Sequence, residues 1–341
     1  MHNIPLYQQI EDAFTEQIRN GLLRDGDRIP SESEIVESFH VSLITAKRAL
    51  NGLAENGYAR RIQGKGTFVS IPKNERESFL IGILFTTLAT DIDKELLNHL
   101  ERYARKAGMR FLFGLSRESV EEENRIINEF RNSGVDGIII FPTVSETYNN
   151  AIIKLFLDGF PLMLIDRYFK KMDIPSVSSN NFDGGYRLAK LMFEHESKKL
   201  CFISTNEENS ATLDRQLGIE KAFIEQGTPT NKNDWLFVPS DIQSDDDITE
   251  FLEQVQPDCI ITVNAHLAAL ASKYTHAHDV LHLSFDTPTG CDYFVCQNPE
   301  GIAGMAIHLL RKSITGERIE SHNILVPITV KSGNRQTKRM T

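Results

Sequence analysis

Basic side chains are concentrated in one short stretch near the amino terminus. Between residues 47 and 65 only Glu55 carries a negative charge, and the cations there are Lys47, Arg48, Arg60, Arg61 and Lys65. Clustered Lys and Arg side chains can pair with the phosphates of nucleic acid. A solvated charged surface is the alternative, and charge alone does not separate the two. The net charge of −10 over 341 residues argues against indiscriminate coating of nucleic acid.

Glycines frame one of these cations. The segment Gln63-Gly64-Lys65-Gly66 lies between two short strand-like runs, 58–62 and 67–69, which predicts a β-hairpin with a tight turn. Glycine lets a backbone approach a phosphate closely, so the turn is suited to phosphate contact. It is not a nucleotide-binding P-loop, because the upstream glycine spacing fails and Gly66 stands where that motif has Ser or Thr.

Three helices are predicted ahead of the hairpin. Apolar residues recur at helical spacing from Ile10 to Ile18 and predict the first helix. Ser31, with Glu34 three residues later, forms a capping-box pattern for a second helix that runs to about Phe39.

The third predicted helix follows the capping residue Ser42 and runs to Asn56. Its buried face is predicted to consist of Ala46, Leu50, Leu53 and Ala54. The outer face and the opening turn carry Leu43, Ile44, Thr45, Lys47, Arg48 and Asn51. A helix with short polar and cationic groups in its first turns suits the major groove of DNA.

These segments resemble the GntR family of bacterial regulators. The motifs that carry the resemblance are 26–32 (Gly-Asp-Arg-Ile-Pro-Ser-Glu), Val41-Ser42, 55–58 (Glu-Asn-Gly-Tyr) and 63–69 (Gln-Gly-Lys-Gly-Thr-Phe-Val). The resemblance implies an α+β winged helix-turn-helix over residues 1–70 that binds double-stranded operator DNA. By position, it implies DNA contacts from Ser31, Glu32, Ser42, Thr45, Lys47, Arg48, Gln63, Lys65 and Gly66.

Three positions depart from the family pattern, and one of them is Ser33, where the family often has Arg or Asn. An arginine usually follows the Val-Ser pair, and Leu43 stands there in this chain. Leucine cannot donate paired hydrogen bonds to guanine, which predicts a divergent operator. Lys47 replaces another usual arginine and is expected to contact phosphate as a point charge.

Residues 71–78 are polar and are predicted to be a linker. Beyond them, strand-like and helical segments alternate, which is typical of doubly wound α/β layers. Eight or nine strands exceed one Rossmann-like half, so two halves facing a cleft are predicted. The predicted strands are 79–85, 111–113, 135–141, 161–165, 200–203, 235–238, 259–263, 280–285 and 294–295. Helices are predicted at 94–107, 120–132, 183–195, 214–226 and 300–313.

Residues 79–333 resemble the LacI/GalR-type effector domain, which is similar to periplasmic sugar-binding proteins. The motifs include Val135-Asp136-Gly137, Leu164-Ile165-Asp166-Arg167, and Gln297-Asn298-Pro299. The resemblance implies one subdomain from ~79–168 and ~290–318, and another from ~172–288 and ~319–333. Residues 334–341 are predicted to be a basic tail. With the amino-terminal module, the chain is similar to the arabinose-repressor subgroup.

Candidate effector-binding residues lie at predicted strand ends. Ligands of parallel sheets bind beyond the carboxyl ends of strands, where Asp166, Asn264 and Asp286 stand. Arg215 opens a nearby helix, and Trp235 is a candidate for stacking on a sugar. The resemblance implies sugar contacts for Asp166, Arg215, Asn264 and Asp286. A helix cap is the alternative for a strand-end Asp or Asn, and Ala265 stands where the family usually has Asp.

Other classes of function find less support in the sequence. No nucleophile elbow or zinc-protease motif is present. His276, His278 and His282 could form a metal site or could simply lie at a polar helix end and in the strand that follows. The second interpretation is favoured. The four cysteines are predicted to be reduced core thiols. No metal, cofactor or membrane partner is predicted, and the polar start predicts a cytoplasmic location.

The combined interpretation is a ligand-responsive transcription regulator that is not an enzyme. A repressor of carbohydrate-utilisation genes, released by a sugar or sugar phosphate, is favoured, and it is expected to bind DNA as a homodimer. An activator of the same architecture is one alternative. A cytosolic sugar-binding or sugar-processing protein, with the small module docking another protein, is the other.

Overall fold

The chain divides at Ser78 into two units, Met1–Ser78 and Phe79–Thr341. The computed structural model describes residues 5–71, 78–143, 149–206, 209–286, 290–319 and 323–335. The predicted linker therefore lies largely outside the described residues.

The first unit is a helical layer with a small antiparallel sheet. Its helices are α1 (Leu6–Arg19), α2 (Glu32–Phe39) and α3 (Leu43–Glu55), and its strands are β1 (Arg28–Ile29), β2 (Ala59–Ile62) and β3 (Gly66–Val69). The strand order is β1-β3-β2. The helix α3 buries Ala46, Ala49, Leu50 and Leu53 against α1 and α2.

Side-chain caps fix where the second and third helices begin. The backbone N–H of Ser31 donates to the Glu34 carboxylate at 2.6 Å, and the N–H of Glu34 donates to Ser31 Oγ at 3.3 Å. Ser42 Oγ accepts from the N–H of Thr45 at 3.2 Å. These caps satisfy helix N–H groups that have no partner within the helix.

The second unit contains two six-stranded sheets among its described residues, each forming the centre of one lobe. The first lobe contains β4 (Phe79–Phe85), β5 (Met109–Leu115), β6 (Gly137–Ile140), β7 (Leu162–Ile165), β8 (Ser176–Ser179) and β14 (Asn323–Val326). The second contains β9 (Leu200–Thr205), β10 (Leu236–Val238), β11 (Cys259–Thr262), β12 (Leu281–Phe285), β13 (Tyr293–Cys296) and β15 (Thr329–Ser332). The strand orders are β14-β8-β7-β6-β4-β5 and β10-β9-β11-β12-β13-β15. All pairings are parallel except β13 with β15.

Helices cover both faces of these sheets. The first lobe has α4 (Asp91–Lys106), α5 (Val120–Asn132), α6 (Asn150–Leu157) and α11 (Pro299–Ile314), and the second has α7 (Asn181–Glu194), α8 (Ser210–Glu225), α9 (Asp246–Val255) and α10 (Ala265–Ala277). Inner parallel strands such as β6 and β11 are buried throughout, as the continuous apolar runs predicted.

The chain crosses between the lobes about ten residues later than predicted at each crossing. β8 lies in the first sheet, although the prediction gave ~172–288 to the second half. β13 lies in the second sheet and β14 in the first, so the predicted boundaries near residues 290 and 319 are also wrong. The first error has a physical cause, because β8 reads Ser-Val-Ser-Ser and is not an apolar run. Two of its three buried serine hydroxyls are paired with distant side chains: Ser176 Oγ donates to Asn323 Oδ1 at 3.0 Å, and Ser179 Oγ donates to Gln297 Oε1 at 2.7 Å.

The predicted basic tail begins too early. Arg335 donates to the carbonyl oxygens of Val280 (2.8 Å) and Thr275, and lies 3.4 Å from the Asp292 carboxylate. Asn334 Oδ1 accepts from the N–H of Gly290 at 3.0 Å. Residues 334 and 335 are therefore part of the second lobe, while 336–341 lie outside the described residues.

Two glycines let α7 and α8 touch backbone to backbone. A Cβ atom at Gly185 would overlap the carbonyl oxygen of Arg215, and one at Gly218 would overlap that of Phe182. The absence of both side chains brings the start of α8 against the start of α7. Arg215 is thereby held at a fixed distance from α7.

The substitution Gly185→Ala should destabilise the second unit by about 1–3 kcal/mol or more, because backbone atoms must move to admit the methyl group. Thermal unfolding monitored by circular dichroism measures the loss. Gly304→Ala is the matched control, since the nearest atoms to its Cβ would be side-chain atoms of the Tyr103 ring, at 3.2 Å and beyond. Equal melting temperatures for wild type and Gly185→Ala would contradict the close contact.

A buried carboxylate joins α5 to the segment that follows β6. Glu123 has no exposed surface, and its carboxylate accepts from the N–H of Thr143 at 3.0 Å and from Asn149 Nδ2. Burial raises the pKa of Glu123 to about 7, against the lowering effect of these two hydrogen bonds. Glu118 raises this pKa further and Arg167 lowers it.

The titration of Glu123 should make the second unit less stable as pH rises. The folded state holds a proton on this group up to about pH 7, whereas the unfolded chain releases it near 4.5. From pH 5.5 to 8, this group alone should lower the free energy of unfolding by about 2 kcal/mol. Urea unfolding of wild type and Glu123→Gln at both pH values measures the difference. Glu121→Gln, at an exposed position of the same turn, is the control. Equal pH dependence of wild type and Glu123→Gln would disprove the assignment.

Candidate functional site

The first unit presents a groove between the start of α2 and the hairpin β2–β3. Its volume is about 430 Å³, and Ser31, Glu32, Gln63 and Gly66 are among the residues that line it. The structure thus brings together predicted residues from two separate parts of the sequence. Lys65 is exposed at the turn of the hairpin, between Gly64 (φ 73°) and Gly66 (φ 119°). This left-handed backbone favours glycine and allows a tight turn.

One of the predicted contact residues already has a protein partner. The Glu32 carboxylate lies 3.4 Å from Arg61 Nη2, so it links α2 to β2. Both side chains are partly exposed, and such a pair contributes about 0–1 kcal/mol at most. The ion pair mainly positions a side chain, because it holds Arg61 beside the groove.

The exposed face of α3 carries the remaining predicted contacts. Lys47 is exposed, and Arg48 lies over the Tyr7 ring with its guanidinium carbon 3.9 Å from the ring centre. Ser42 Oγ and Thr45 Oγ1 are 2.8 Å apart and hydrogen-bonded to each other. Leu43 and Ile44 extend into solvent at the first turn. The face therefore presents cations, the hydroxyl groups that cap the helix, and apolar side chains to a ligand.

In the second unit, two aspartates follow corresponding strands of the two lobes. Asp166 comes directly after β7, Asp286 directly after β12, and both have a φ of 66°. Aspartate is one of the few residues other than glycine that tolerate this left-handed conformation. The backbone turns sharply at both carboxylates, at the carboxyl ends of the parallel strands.

Arg215 is almost completely buried, and both aspartates act on it electrostatically. Its Nε donates to Asn181 Oδ1 at 2.8 Å, its Nη1 donates to the carbonyl of Val263 at 2.6 Å, and its guanidinium lies 4.3 Å from the centre of the Phe285 ring. Burial lowers the pKa of Arg215, and the carboxylates of Asp286 and Asp166 oppose that shift. An arginine stays charged in proteins, so these carboxylates stabilise a buried cation.

The carboxylate of Asp166 is perturbed in the complementary way. Burial raises its pKa, whereas the guanidinium groups of Arg167 and Arg215 lower it. The predicted residues Asp166, Arg215 and Asp286 are therefore within electrostatic range of one another at the junction of the two lobes.

Three further residues at this junction were not predicted as ligand contacts. The carboxylate of Asp93 accepts from the N–H of Thr90 at 3.0 Å, and burial raises its pKa. Arg167 donates to the carbonyl of Pro142 at 3.0 Å. Gln297 Nε2 donates to Asp286 Oδ1 at 2.6 Å. We refer to Asp93, Asp166, Arg167, Arg215, Asp286 and Gln297 as the interlobe cluster.

Gln297 also connects the cluster to a crossing between the lobes. Its Oε1 accepts from Ser179 Oγ at 2.7 Å, at the end of β8. The signal in the sequence was the Gln-Asn-Pro motif, whose Asn298 caps α11. For Asp93 the signal was its place three residues after Thr90, which is a capping-box spacing.

The two lobes are also joined beside the interlobe cluster. The N–H of Tyr168 donates to Ser210 Oγ at 2.8 Å, and the Tyr168 hydroxyl donates to Asp214 Oδ2 at 2.7 Å. Lys170 Nζ lies 3.2 Å from the other oxygen of Asp214. These contacts connect the segment after β7 with the first turns of α8.

Asn264 and Trp235 occupy different places. Asn264 follows β11 and caps α10, since its Oδ1 accepts from the N–H of Leu267 at 2.9 Å. The side-chain oxygen of Asn264 therefore acts as a helix cap, which was the alternative interpretation. Sugar contact by Asn264 stays a prediction. Trp235 is buried against Phe202, with ring centres 5.2 Å apart, at the amino end of β10. β10 runs parallel to β9 with Leu236 beside Ile203, so Trp235 lies level with Phe202 and not beyond the carboxyl ends of the strands. Sugar stacking by Trp235 stays a prediction.

The histidines considered as metal ligands have other surroundings. His282 is buried, and burial lowers its pKa to about 4, which keeps it neutral. The His278 ring stacks on Tyr274 at 4.1 Å. In the described ranges, no group of three or more His, Cys, Asp or Glu side chains could hold a metal ion. Nor does any helix in those ranges have the length and apolar character to span a bilayer.

Family models match both units. Residues 6–69 match the gntR family of bacterial regulatory proteins, and residues 81–256, just over half of the chain, match the periplasmic binding protein domain. The first match covers α1 to β3, and the second covers both sheets in part.

Curated relatives include named repressors. The chain is 27% identical to the arabinose metabolism transcriptional repressor of Geobacillus stearothermophilus over 66% of its own length and 63% of that protein. The corresponding protein of Halalkalibacterium halodurans is 24% identical over 66% of this chain and 62% of that protein. The chain thus matches slightly less than two thirds of either repressor. The sucrose operon repressor of Streptococcus mutans is 26% identical over 86% of this chain and 89% of that protein.

Solved structures share the fold at low identity. The transcriptional regulator CelR in complex with cellobiose has a TM-score of 0.64 at 17% identity, over 87% of this chain and 92% of that one. CcpA of Lactococcus lactis has a TM-score of 0.65 at 16% identity, over 75% of this chain and 98% of that one. The chain belongs to the periplasmic binding protein domain family, and it carries at its amino end a winged helix-turn-helix of the gntR family of bacterial regulatory proteins.

Proposed function

We propose that this protein is a repressor of carbohydrate-utilisation genes that releases its operator when a sugar binds at the interlobe cluster. The observation that carries the proposal is the presence, in one chain, of a winged helix-turn-helix and of a buried Arg215 that donates to Asn181 and Val263 within electrostatic range of Asp166 and Asp286. The names of the arabinose and sucrose repressors support a role in carbohydrate metabolism. The cellobiose bound to CelR and the ribose bound to a LacI-family regulator of Enterococcus faecium support a sugar as the ligand.

The chemistry of the interlobe cluster favours a neutral sugar over a sugar phosphate. Carboxylates accept hydrogen bonds from hydroxyl groups, and the cluster has three carboxylates against two guanidinium groups. Arg215 already donates through Nε and Nη1 to protein groups, and Arg167 donates to Pro142. A phosphate dianion would meet more negative than positive charge there.

Sugar binding weakens operator binding by favouring one arrangement of the two lobes. Hydroxyls that bridge Asp166 of the first lobe and Arg215 of the second are expected to hold the lobes in that arrangement. Thermodynamic linkage then requires the operator to weaken sugar binding by the same factor. The protein acts as a cytoplasmic homodimer, because an operator with two half-sites needs two recognition helices, and it catalyses no reaction.

An activator of the same architecture differs only in which state binds DNA. A sugar-binding or sugar-processing protein whose small unit docks another protein would bind no preferred DNA fragment. A gel shift with fragments of the chain's own upstream region, with and without sugars, separates these alternatives.

The substitution Asp286→Asn should weaken sugar binding at least tenfold and leave operator affinity unchanged. Asparagine tolerates the same φ and can still accept from Gln297, so the fold is kept while the charge beside Arg215 is lost. Calorimetric titration with the sugar that raises the melting temperature of the wild type measures the loss. Asp241→Asn, at an exposed position of the second lobe, is the control. Unchanged sugar affinity in Asp286→Asn would refute the proposed site.

The substitution Lys47→Ala should weaken binding to all DNA sequences and flatten its salt dependence. Each phosphate contact adds about 0.9 to the slope of log K against log salt, so a dimer that loses two contacts should lose about 1.8. Fluorescence anisotropy at several salt concentrations measures the slope. Lys198→Ala, exposed on the second unit, is the control. An unchanged slope in Lys47→Ala would show that this lysine contacts no phosphate.

A further inference from the structure

We propose that Leu43 and Ile44 read the C5-methyl groups of thymine, so that each operator half-site carries thymine where an arginine reader would require guanine. This inference rests on the proposed binding to operator DNA and concerns which base pairs are chosen. It assigns specificity to the two residues of the DNA-binding unit whose chemistry is least expected on a cationic face.

The first turn of α3 is apolar and open to solvent. Leu43 is 56% exposed and Ile44 is 80% exposed, and Ile44 exceeds every other large apolar side chain among the described residues. Their neighbours Ala46, Ala49 and Leu50 are buried, so the same helix anchors itself by one face and leaves the tip uncovered. Two adjacent exposed aliphatic side chains at one helix end differ from scattered surface apolar residues.

The polar groups of this turn are occupied with each other. Ser42 Oγ accepts from the N–H of Thr45 and lies 2.8 Å from Thr45 Oγ1. The cap needs this hydroxyl to satisfy the start of the helix. The side chains that extend furthest from the turn are therefore Leu43 and Ile44, and neither can donate or accept a hydrogen bond.

Exposed lysines on the same unit favour nucleic acid over an apolar protein surface as the partner of this turn. Lys47 is exposed one turn further along α3, and Lys65 is exposed at the turn of the hairpin in the same unit. An apolar tip with exposed lysines on the same unit matches a major groove, in which thymine methyl groups lie between two phosphate backbones. A protein partner with an apolar groove is an alternative outcome of the test.

Opposite guanine, Leu43 would cover the N7 and O6 acceptors without replacing the water that hydrates them. Opposite thymine, the same side chain covers a methyl group and removes apolar surface from water. The preference is therefore a rejection of guanine combined with an attraction to thymine.

The test replaces thymine by deoxyuridine, one position at a time, in an operator selected from random DNA with the wild-type protein. This change removes only the methyl group. We expect binding to weaken about three- to tenfold at one or two adjacent positions of each half-site. In the double variant Leu43→Ala, Ile44→Ala the same replacements should have no effect. Leu43→Arg should shift the selected base at the same position to guanine.

Leu22→Ala is the matched control, because Leu22 is 74% exposed in the same unit and lies outside α3. It should keep the full sensitivity to methyl removal. The proposal is overturned if the wild type binds a selected operator equally well with deoxyuridine at every position. It is also overturned if the sensitivity persists in the double variant. If the wild type selects no DNA sequence at all, the proposed function is overturned as well. Failure of the thymine proposal alone is distinguished from this result, because an operator is then still selected.

Discussion

The burial of one guanidinium group at the junction of the lobes constrains how the two lobes of the second unit can be arranged. A buried cation is stable only with anions and hydrogen-bond acceptors around it. Arg215 obtains them from the carbonyl of Val263, from Asn181 and from the carboxylates of Asp166 and Asp286. The glycine contacts between α7 and α8 set its position. The compensation comes from both lobes, so the charge balance of the site depends on their arrangement.

A ligand with several hydroxyl groups fits this constraint. It can donate to the carboxylates and accept from guanidinium groups without adding net charge, so it exploits a polar junction that already exists. Gln297 links Asp286 to the end of β8, where the chain passes from one lobe to the other. A change at the site therefore reaches a crossing segment through two hydrogen bonds. In the amino-terminal unit, by contrast, Ser42 and Thr45 are used to cap α3, which leaves Leu43 and Ile44 as exposed apolar side chains of its first turn.

Local patterns in the sequence predicted most of the fold. The capping box at Ser31, the cap at Ser42 and the continuous apolar strands were all visible because each depends on neighbouring residues. The serine-rich β8 was missed because the hydroxyls of Ser176 and Ser179 are paired with the distant residues Asn323 and Gln297. That error displaced the first crossing between the lobes. Arg335, taken for a tail residue, has its acceptors more than 40 residues away.

The candidate site was predicted only in part, because local patterns show strand ends but not long-range contacts. Asp166 and Asp286 could be predicted because they follow apolar strands. Arg215 could be predicted because the chain resembles the LacI/GalR-type effector domain at that position. The burial of Trp235 against Phe202 could not be predicted, since residue type alone does not tell how far along a strand a side chain lies from the site. The most direct test of the account is to measure operator affinity at saturating sugar, and sugar affinity at saturating operator. We predict that both fall by the same factor, and a sugar that binds the protein while operator affinity stays constant would contradict the account.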